Sequence, residues 1–236
     1  MKQIKHLKQF SMITIIVNFF ILFGTAFSIE YKELIEKIQQ QEQKIEKIKS
    51  DYIQLVNLVE LKEEYILKAS FIYKRPNKIK VYVYEPFRQI IIADNQEIYV
   101  KDIDTDTIYK FSTRKYFEGY NYLPSIFSNK SGNYSITDFI KKTGLKFVTE
   151  EKNYYVLSTR YAKGKVYTDK KIGLRPGETR FILWLNKETL FPEKVNMISE
   201  QYIIETQFTN FQTDFEISDN EFEIEKTTST KIIEVK

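Results

Sequence analysis

Carboxylates and one arginine are the side chains whose type and spacing could do chemistry here. Glu63-Glu64 and Glu150-Glu151 are adjacent acids. Neighbours in a strand point to opposite sides, so neither pair sets two carboxyl groups about one bond for acid–base work. Asp102, Asp104 and Asp106 alternate as a calcium loop begins, but Thr107 and Thr113 stand where such a loop needs glycine and glutamate. There is no cysteine, and the single histidine, His6, lies in an N-terminal leader. A mature chain without either residue runs no Ser-His-Asp or Cys-His mechanism and builds none of the usual zinc sites. Lys, Tyr or carboxylate chemistry stays open, but no convergent polar set offers it. Neither an enzyme nor a cofactor is expected. Arg75 differs from the carboxylates, because it ends an alternating stretch on the same side as Tyr65, Leu67, Ala69, Phe71 and Tyr73. A charge aimed into an apolar concavity costs several kcal/mol unless it is paired or kept near water.

The elements that position Arg75 follow from periodicity. From Phe71 to Asp104 an apolar residue returns at nearly every second position, punctuated by Arg-Pro, Glu-Pro and Asp-Asn. Strands are predicted over 52–61, 65–74, 78–85, 88–93, 97–102 and 107–113, with short antiparallel connections. Before them, Tyr31, Leu34, Ile35, Ile38, Ile45 and Ile48 recur at helical spacing, predicting a helix from Ile29 to about Ser50 that packs along part of its length. A solvated coiled-coil arm is the other reading of that segment. Alternation stops at Lys115. The aromatic stretch 116–127, the turn at 130–133 and a helix predicted over Ile136–Thr143, capped by Ser135 and stopped by Gly144, form an interruption suited to a mobile cover. Strands resume over 145–150, 153–161, 179–186, 193–199, 201–211 and 231–235, and 162–178 reads as a long polar hairpin tip.

Composition bounds the partners. Lys2, Lys5 and Lys8, an apolar run from Phe10 to Phe23 and Ala26-Phe27-Ser28 make a signal-peptide pattern over residues 1–28, with 29–236 as a single domain. An uncleaved anchor is the alternative, but the run falls short of the roughly 20 residues a bilayer span needs. Without the leader, 33 basic residues face 32 acidic ones. No basic stripe stands out, so no nucleic acid is expected as a partner. The absence of cysteine also means the chain is not itself lipidated through a lipobox.

Taken in order, these pieces resemble a known family. Arg75-Pro76 at a strand end, Glu85-Pro86, Ile90-Ile91-Ile92-Ala93-Asp94, Ile98-Tyr99-Val100 and the acidic turn 102–106 are similar to the core of the LolA family of periplasmic lipoprotein carriers. Leu183-Trp184-Leu185-Asn186, Phe191-Pro192-Glu193-Lys194-Val195, Phe208-Thr209-Asn210-Phe211 and Asp219 to Ile224 resemble its second half. Asn95 stands where that family has Gly, Tyr99 where it has Trp, and 162–178 looks inserted. The resemblance implies a mostly β fold: an open, curved antiparallel half-barrel with an N-terminal helix and short lid helices over an apolar concave face. It also implies a monomeric chaperone that carries acylated lipoproteins across the periplasm, from an inner-membrane releasing transporter to an outer-membrane acceptor. A lipid-sensing regulatory module of the same fold is the alternative. The family links the matching arginine to lid closure, so Arg75 is expected to latch carbonyls of 122–127.

The physics of such a carrier is simple. A chain of roughly 16 carbons costs about 12 kcal/mol to leave in water, at ~0.8 kcal/mol per methylene. Phe71, Tyr73, Ile79, Val81, Val83, Ile90, Ile92, Ile98 and Val100 are expected to line the surface that shields it, joined by Leu123, Ile126 and Phe127 from the lid. The same row serves equally as core under the helices when no cargo is present.

Overall fold

Strand pairing follows the alternation closely. The computed structural model describes residues 29–93, 97–112, 134–159, 161–162, 165–166 and 177–235; of 161–162, 165–166 and Phe147 only the backbone is described. The leader, Leu123, Ile126, Phe127, the rest of 113–133 and most of 162–178 lie outside these residues.

A helix, α1 (Tyr31–Gln43), buries Leu34 and Ile38. It is shorter than the predicted 29–50. Lys44 N–H to the Gln41 carbonyl (3.1 Å) and Ile45 N–H to the Glu42 carbonyl (3.1 Å) tighten its last turn. From Lys47 the chain is already extended, because Ile48, Ser50, Tyr52, Gln54 and Val56 alternate with more exposed neighbours. That stretch is β1 (Lys47–Leu58). A turn with Lys62 at φ 56° leads to β2 (Glu63–Lys74). The meander continues through β3 (Lys78–Glu85), β4 (Gln89–Ala93), β5 (Glu97–Asp102) and β6 (Thr107–Ser112).

After the interruption comes α2 (Ile136–Thr143), with its predicted bounds. The Ser135 hydroxyl accepts from the Asp138 N–H, and Gly144 closes the helix at φ 71°, a left-handed position where glycine carries no Cβ penalty. Then follow β7 (Phe147–Glu150), β8 (Tyr154–Ser158), the short pair β9 (Tyr161–Ala162) and β10 (Lys165–Val166), β11 (Arg180–Asn186), β12 (Pro192–Ile198) and β13 (Tyr202–Gln212). A 3-10 turn (Asp219–Phe222) and β14 (Lys231–Val235) end the chain.

Twelve of these strands make one sheet in the order β14-β6-β5-β4-β3-β2-β1-β13-β12-β11-β8-β7. Its two ends do not pair with each other, so the sheet is an open, curved half-barrel. Every pairing in it is antiparallel except the last, where β14 runs parallel to β6 from Lys231–Thr107 to Val235–Phe111. The C-terminal segment thus returns along the far edge of the meander.

One face carries α2 and the residues leading into it: Tyr134 meets Tyr73 (ring centroids 5.9 Å apart), and Phe139 packs edge-on against Phe181 (5.8 Å). This inner face is the core of the β1–β6 meander, while the opposite face of β8, β11 and β12 buries a second apolar cluster of Val156, Ile182, Trp184 and Ile198. The outer face of β2–β5 meets instead the segment around 219–225. Asp219 pairs with Lys74 (2.6 Å) and Lys78 (2.9 Å), Glu221 with Lys80 (3.2 Å), and Lys101 donates to the Glu225 carbonyl (2.7 Å).

Candidate functional site

The register of the meander sets apolar residues in rows across the inner face. One row runs Ile48, Tyr73, Ile79, Ala93, Ile98 and Phe111; the next runs Ser50, Phe71, Val81, Ile91 and Val100. A third begins Tyr52, Ala69, Val83. All are buried, Ile48, Val81, Ile91 and Ile98 completely. Of the expected residues, Phe71, Tyr73, Ile79, Val81, Val83, Ile98 and Val100 share this face.

Ile90 and Ile92 do not. Ile90 lies opposite Tyr82 and Lys101, and Ile92 opposite Lys80 and Tyr99, all on the outer face. Their places in the inner rows belong to Ile91 and Ala93. Three consecutive isoleucines carry no alternation from which a face could be chosen, and a one-residue slip moves every side chain across the sheet. Ile92 is nonetheless 6% exposed, because the acidic C-terminal segment crosses that side.

Sequence periodicity also left unmarked the aromatic end of the inner face. Tyr52, Phe71 and Phe208 meet at centroid distances of 6.0–6.4 Å, Phe211 adjoins Phe208 at 6.0 Å, and Phe191 stacks on Phe211 at 4.9 Å. The signal was present: Phe208 and Phe211 sit in one of the family-like motifs, but Tyr52 and Phe71, which Phe208 meets, belong to β1 and β2, far earlier in the chain. Polar groups on this face satisfy one another. The Ser50 hydroxyl donates to the Thr209 carbonyl (2.6 Å), and the Gln54 amide to the Thr206 hydroxyl (3.0 Å). Burial alone pushes the Tyr52 hydroxyl far above its ordinary pKa. The rows present hydrocarbon, with no nucleophile or acid–base pair among these residues.

Where the two helices meet, Arg75 and Glu42 form a joint. Arg75 lies in the turn after β2; its Nη2 donates to the Glu42 carbonyl (2.7 Å), and its backbone N–H to the Glu46 carbonyl (2.8 Å). Nη1 stands 3.7 Å from the Glu46 carboxylate. Arg75 therefore satisfies one of the last carbonyls of α1 and sits at the negative end of the helix dipole, a favourable place for a cation. The anticipated partners at 122–127 are outside the described residues; the observed partner is α1. The Glu42 side chain reaches the other way. Its carboxylate accepts from the Thr137 N–H (2.8 Å) and the Ser135 hydroxyl (3.4 Å), capping α2. Desolvation raises the Glu42 pKa above the ordinary carboxylate range, partly offset by these donors. One residue thus couples the end of β2, the C-terminus of α1 and the N-terminus of α2. Nothing in the glutamine-rich sequence around Glu42 marks it for this role.

The three aspartates of the acidic turn go to separate partners. Asp102 accepts from the Thr105 N–H (2.9 Å), and Asp104 binds the Arg88 guanidinium. Asp106 accepts from the Thr227, Ser229 and Thr230 hydroxyls and pairs with Lys101 (3.2 Å). Those bonds hold its pKa down at about 2.

The open curved sheet with helices on its inner face is the fold of a known superfamily. Residues 43–154 match the family model described as "Outer membrane lipoprotein carrier protein LolA", so this stretch of the chain is LolA-like. No curated protein matches it. Among solved structures, an uncharacterized conserved protein from Thermus thermophilus is similar at TM-score 0.51 and 9% identity, covering 86% of this chain and 98% of that one. A LolA superfamily protein from Nitrosomonas europaea gives 0.45 and 11%, covering 84% and 99%. MucB from Pseudomonas aeruginosa, in its complex with MucA, gives 0.42 and 12%, covering 83% and 61%.

Proposed function

We propose that this protein is a periplasmic carrier that shields the acyl chains of lipoproteins on its inner face as they pass from the inner to the outer membrane. The observation that carries this reading is the set of mostly apolar, buried rows across β1–β5, on the face of the sheet that carries helices whose ends are tied by Arg75 and Glu42. Without cargo the helices cover the rows; with cargo they move and the acyl chains take their place. Closing the helices must offset part of the affinity for hydrocarbon, or release to an acceptor would be too slow. Donor and acceptor are, on this reading, membrane proteins that load and unload the carrier, which itself does no bond chemistry.

The test is a titration with a fluorescent fatty-acid probe and with a triacylated peptide. Saturable uptake of both, each displacing the other, is expected; failure of both to bind would end the proposal. Arg75→Leu removes a hydrogen bond from a charged donor that is 40% exposed, worth about 1 kcal/mol after allowance for solvent. The closed state should weaken by that amount, tightening probe binding about fivefold and slowing release. Unchanged loading and release in this variant would remove Arg75 from the mechanism.

A further inference from the structure

The outer face holds a second candidate site, independent of the carrier reading and on the opposite side of the sheet. A groove of about 480 Å³ crosses β13, β1, β2 and β3, lined by Asp51, Asn210, Gln212, Ser70, Tyr82 and Tyr84, with Lys49 and Ile72 completing it. Its volume lies within the range of small-ligand sites. The groove sits on a break in the ladder: the β1–β13 register shifts between Lys49 and Asp51, and Asn210 adopts φ 57°. Asparagine tolerates this left-handed conformation better than most residues, and such bulges re-aim side chains. Here the bulge turns the Asn210 amide onto the Asp51 carboxylate (2.7 Å), leaving the second carboxylate oxygen and the amide oxygen as acceptors.

Across the groove, the Tyr82 and Tyr84 rings stand 4.6 Å apart at 49°, and Tyr84 is 48% exposed. The Tyr84 hydroxyl is hydrogen-bonded to the Ser70 hydroxyl (2.8 Å), which fixes the ring's outer end. The groove therefore combines an exposed aromatic platform, a held carboxylate–amide pair and a further amide at Gln212. Lys49 and Asp51 cancel in charge, so the site does not select an anion. A hydrocarbon chain would leave the carboxylate and amides without partners.

We propose that this groove binds a neutral carbohydrate chain, with sugar C–H faces on Tyr84 and Tyr82 and hydroxyls bonded to Asp51, Asn210 and Gln212. Tyrosine suits this role, because it offers an apolar ring and a polar tip at low entropic cost. The groove spans four strands, about 14 Å at the usual inter-strand spacing, which fits a short oligosaccharide better than a single sugar. A sugar-binding outer face would let the protein rest on an envelope glycan while its inner face stays free.

The test is ¹⁵N-resolved titration of the whole purified protein with chitotetraose, maltotetraose and xylotetraose, each to about 10 mM, enough to reveal a Kd near 1 mM. The proposal expects saturable shifts with at least one sugar, clustered at 49–51, 70–72, 82–84 and 210–212. Tyr84→Ala should weaken that binding at least about tenfold while thermal unfolding shows the fold intact. Asn210→Gly, which keeps the backbone conformation, should weaken it as well. No shifts with any of the three sugars would overturn the proposal. So would shifts unaffected by Tyr84→Ala, or a preference for an anionic chain such as heparin over all three. Acyl-chain binding on the inner face should be untouched in both variants, so the two readings fail separately.

Discussion

Ile90 and Ile91 differ in what surrounds them far more than in their chemistry. Ile91 is fully buried on the inner face, so Ile91→Ala should cost about 3 kcal/mol through lost contacts and a residual cavity. Ile90, half-buried on the outer face, should cost about 1 kcal/mol on the same change. Urea unfolding of the two variants measures the difference, and equal losses would contradict the register. Strict alternation in 78–85 made the faces of β3 legible from sequence, whereas the isoleucine run did not. Glu42 was equally hidden, since a carboxylate among glutamines acquires its meaning only from α2, almost 100 residues away. Its raised pKa has a definite sign. A carboxyl group whose folded value exceeds its unfolded value contributes stability that is full below the ordinary carboxylate range and is lost as pH rises through the folded value. Glu42→Gln keeps an acceptor for the Thr137 N–H and removes the titration. This variant should equal or exceed the parent in stability at pH 7 and lose its advantage near pH 4, as thermal melts at the two pH values would show.

The helices and strands were largely readable because each carries its own punctuation. Ser135 and Gly144 bracket α2 at its predicted bounds, and Gly144→Ala should cost about 1 kcal/mol from the left-handed backbone alone, since a Cβ there meets nothing within 4 Å. Chemical denaturation checks it. β1 starts five residues before the predicted strand because Ile45 and Ile48 satisfy both helical and alternating spacing, and the tightened turn after Gln43 decides between them. The sequence marks a strand at 231–235 but not its place beside β6. The acids of the C-terminal segment become informative only opposite the lysines of β2, β3 and β5. Asp219 and Asp106 both have pKa values held at about 2 by those lysines and the Thr and Ser hydroxyls. Both values are depressed, so the stability they confer is present above the ordinary carboxylate value and is lost as pH falls toward about 2. Hydrogen exchange in β14 should therefore accelerate on acidification from about pH 4 to pH 2, ahead of β1–β3. Release of the whole sheet together would contradict a separately tethered segment.

In the protein as a whole, one sheet has its two faces put to different uses. The inner face is mostly apolar and carries the two described helices; the outer face of β1–β5 is lysine-rich, crossed by an acidic segment, and opens into a polar groove at the β1–β13 bulge. The half-barrel was legible only through the family resemblance of the ordered motifs, whereas period-two patterning disclosed most of the inner rows. Neither disclosed the joint at Arg75, since an arginine at the end of an apolar stripe has several satisfactory partners and only the packed helices choose α1. The claim that matters most is that α1 and α2 leave the apolar rows when hydrocarbon arrives. Hydrogen exchange with and without saturating palmitate tests it directly. Amides of 31–43 and 136–143 should lose protection on loading while those of β1–β3 keep or gain it. Saturable palmitate binding that leaves both helices as protected as before would contradict the account.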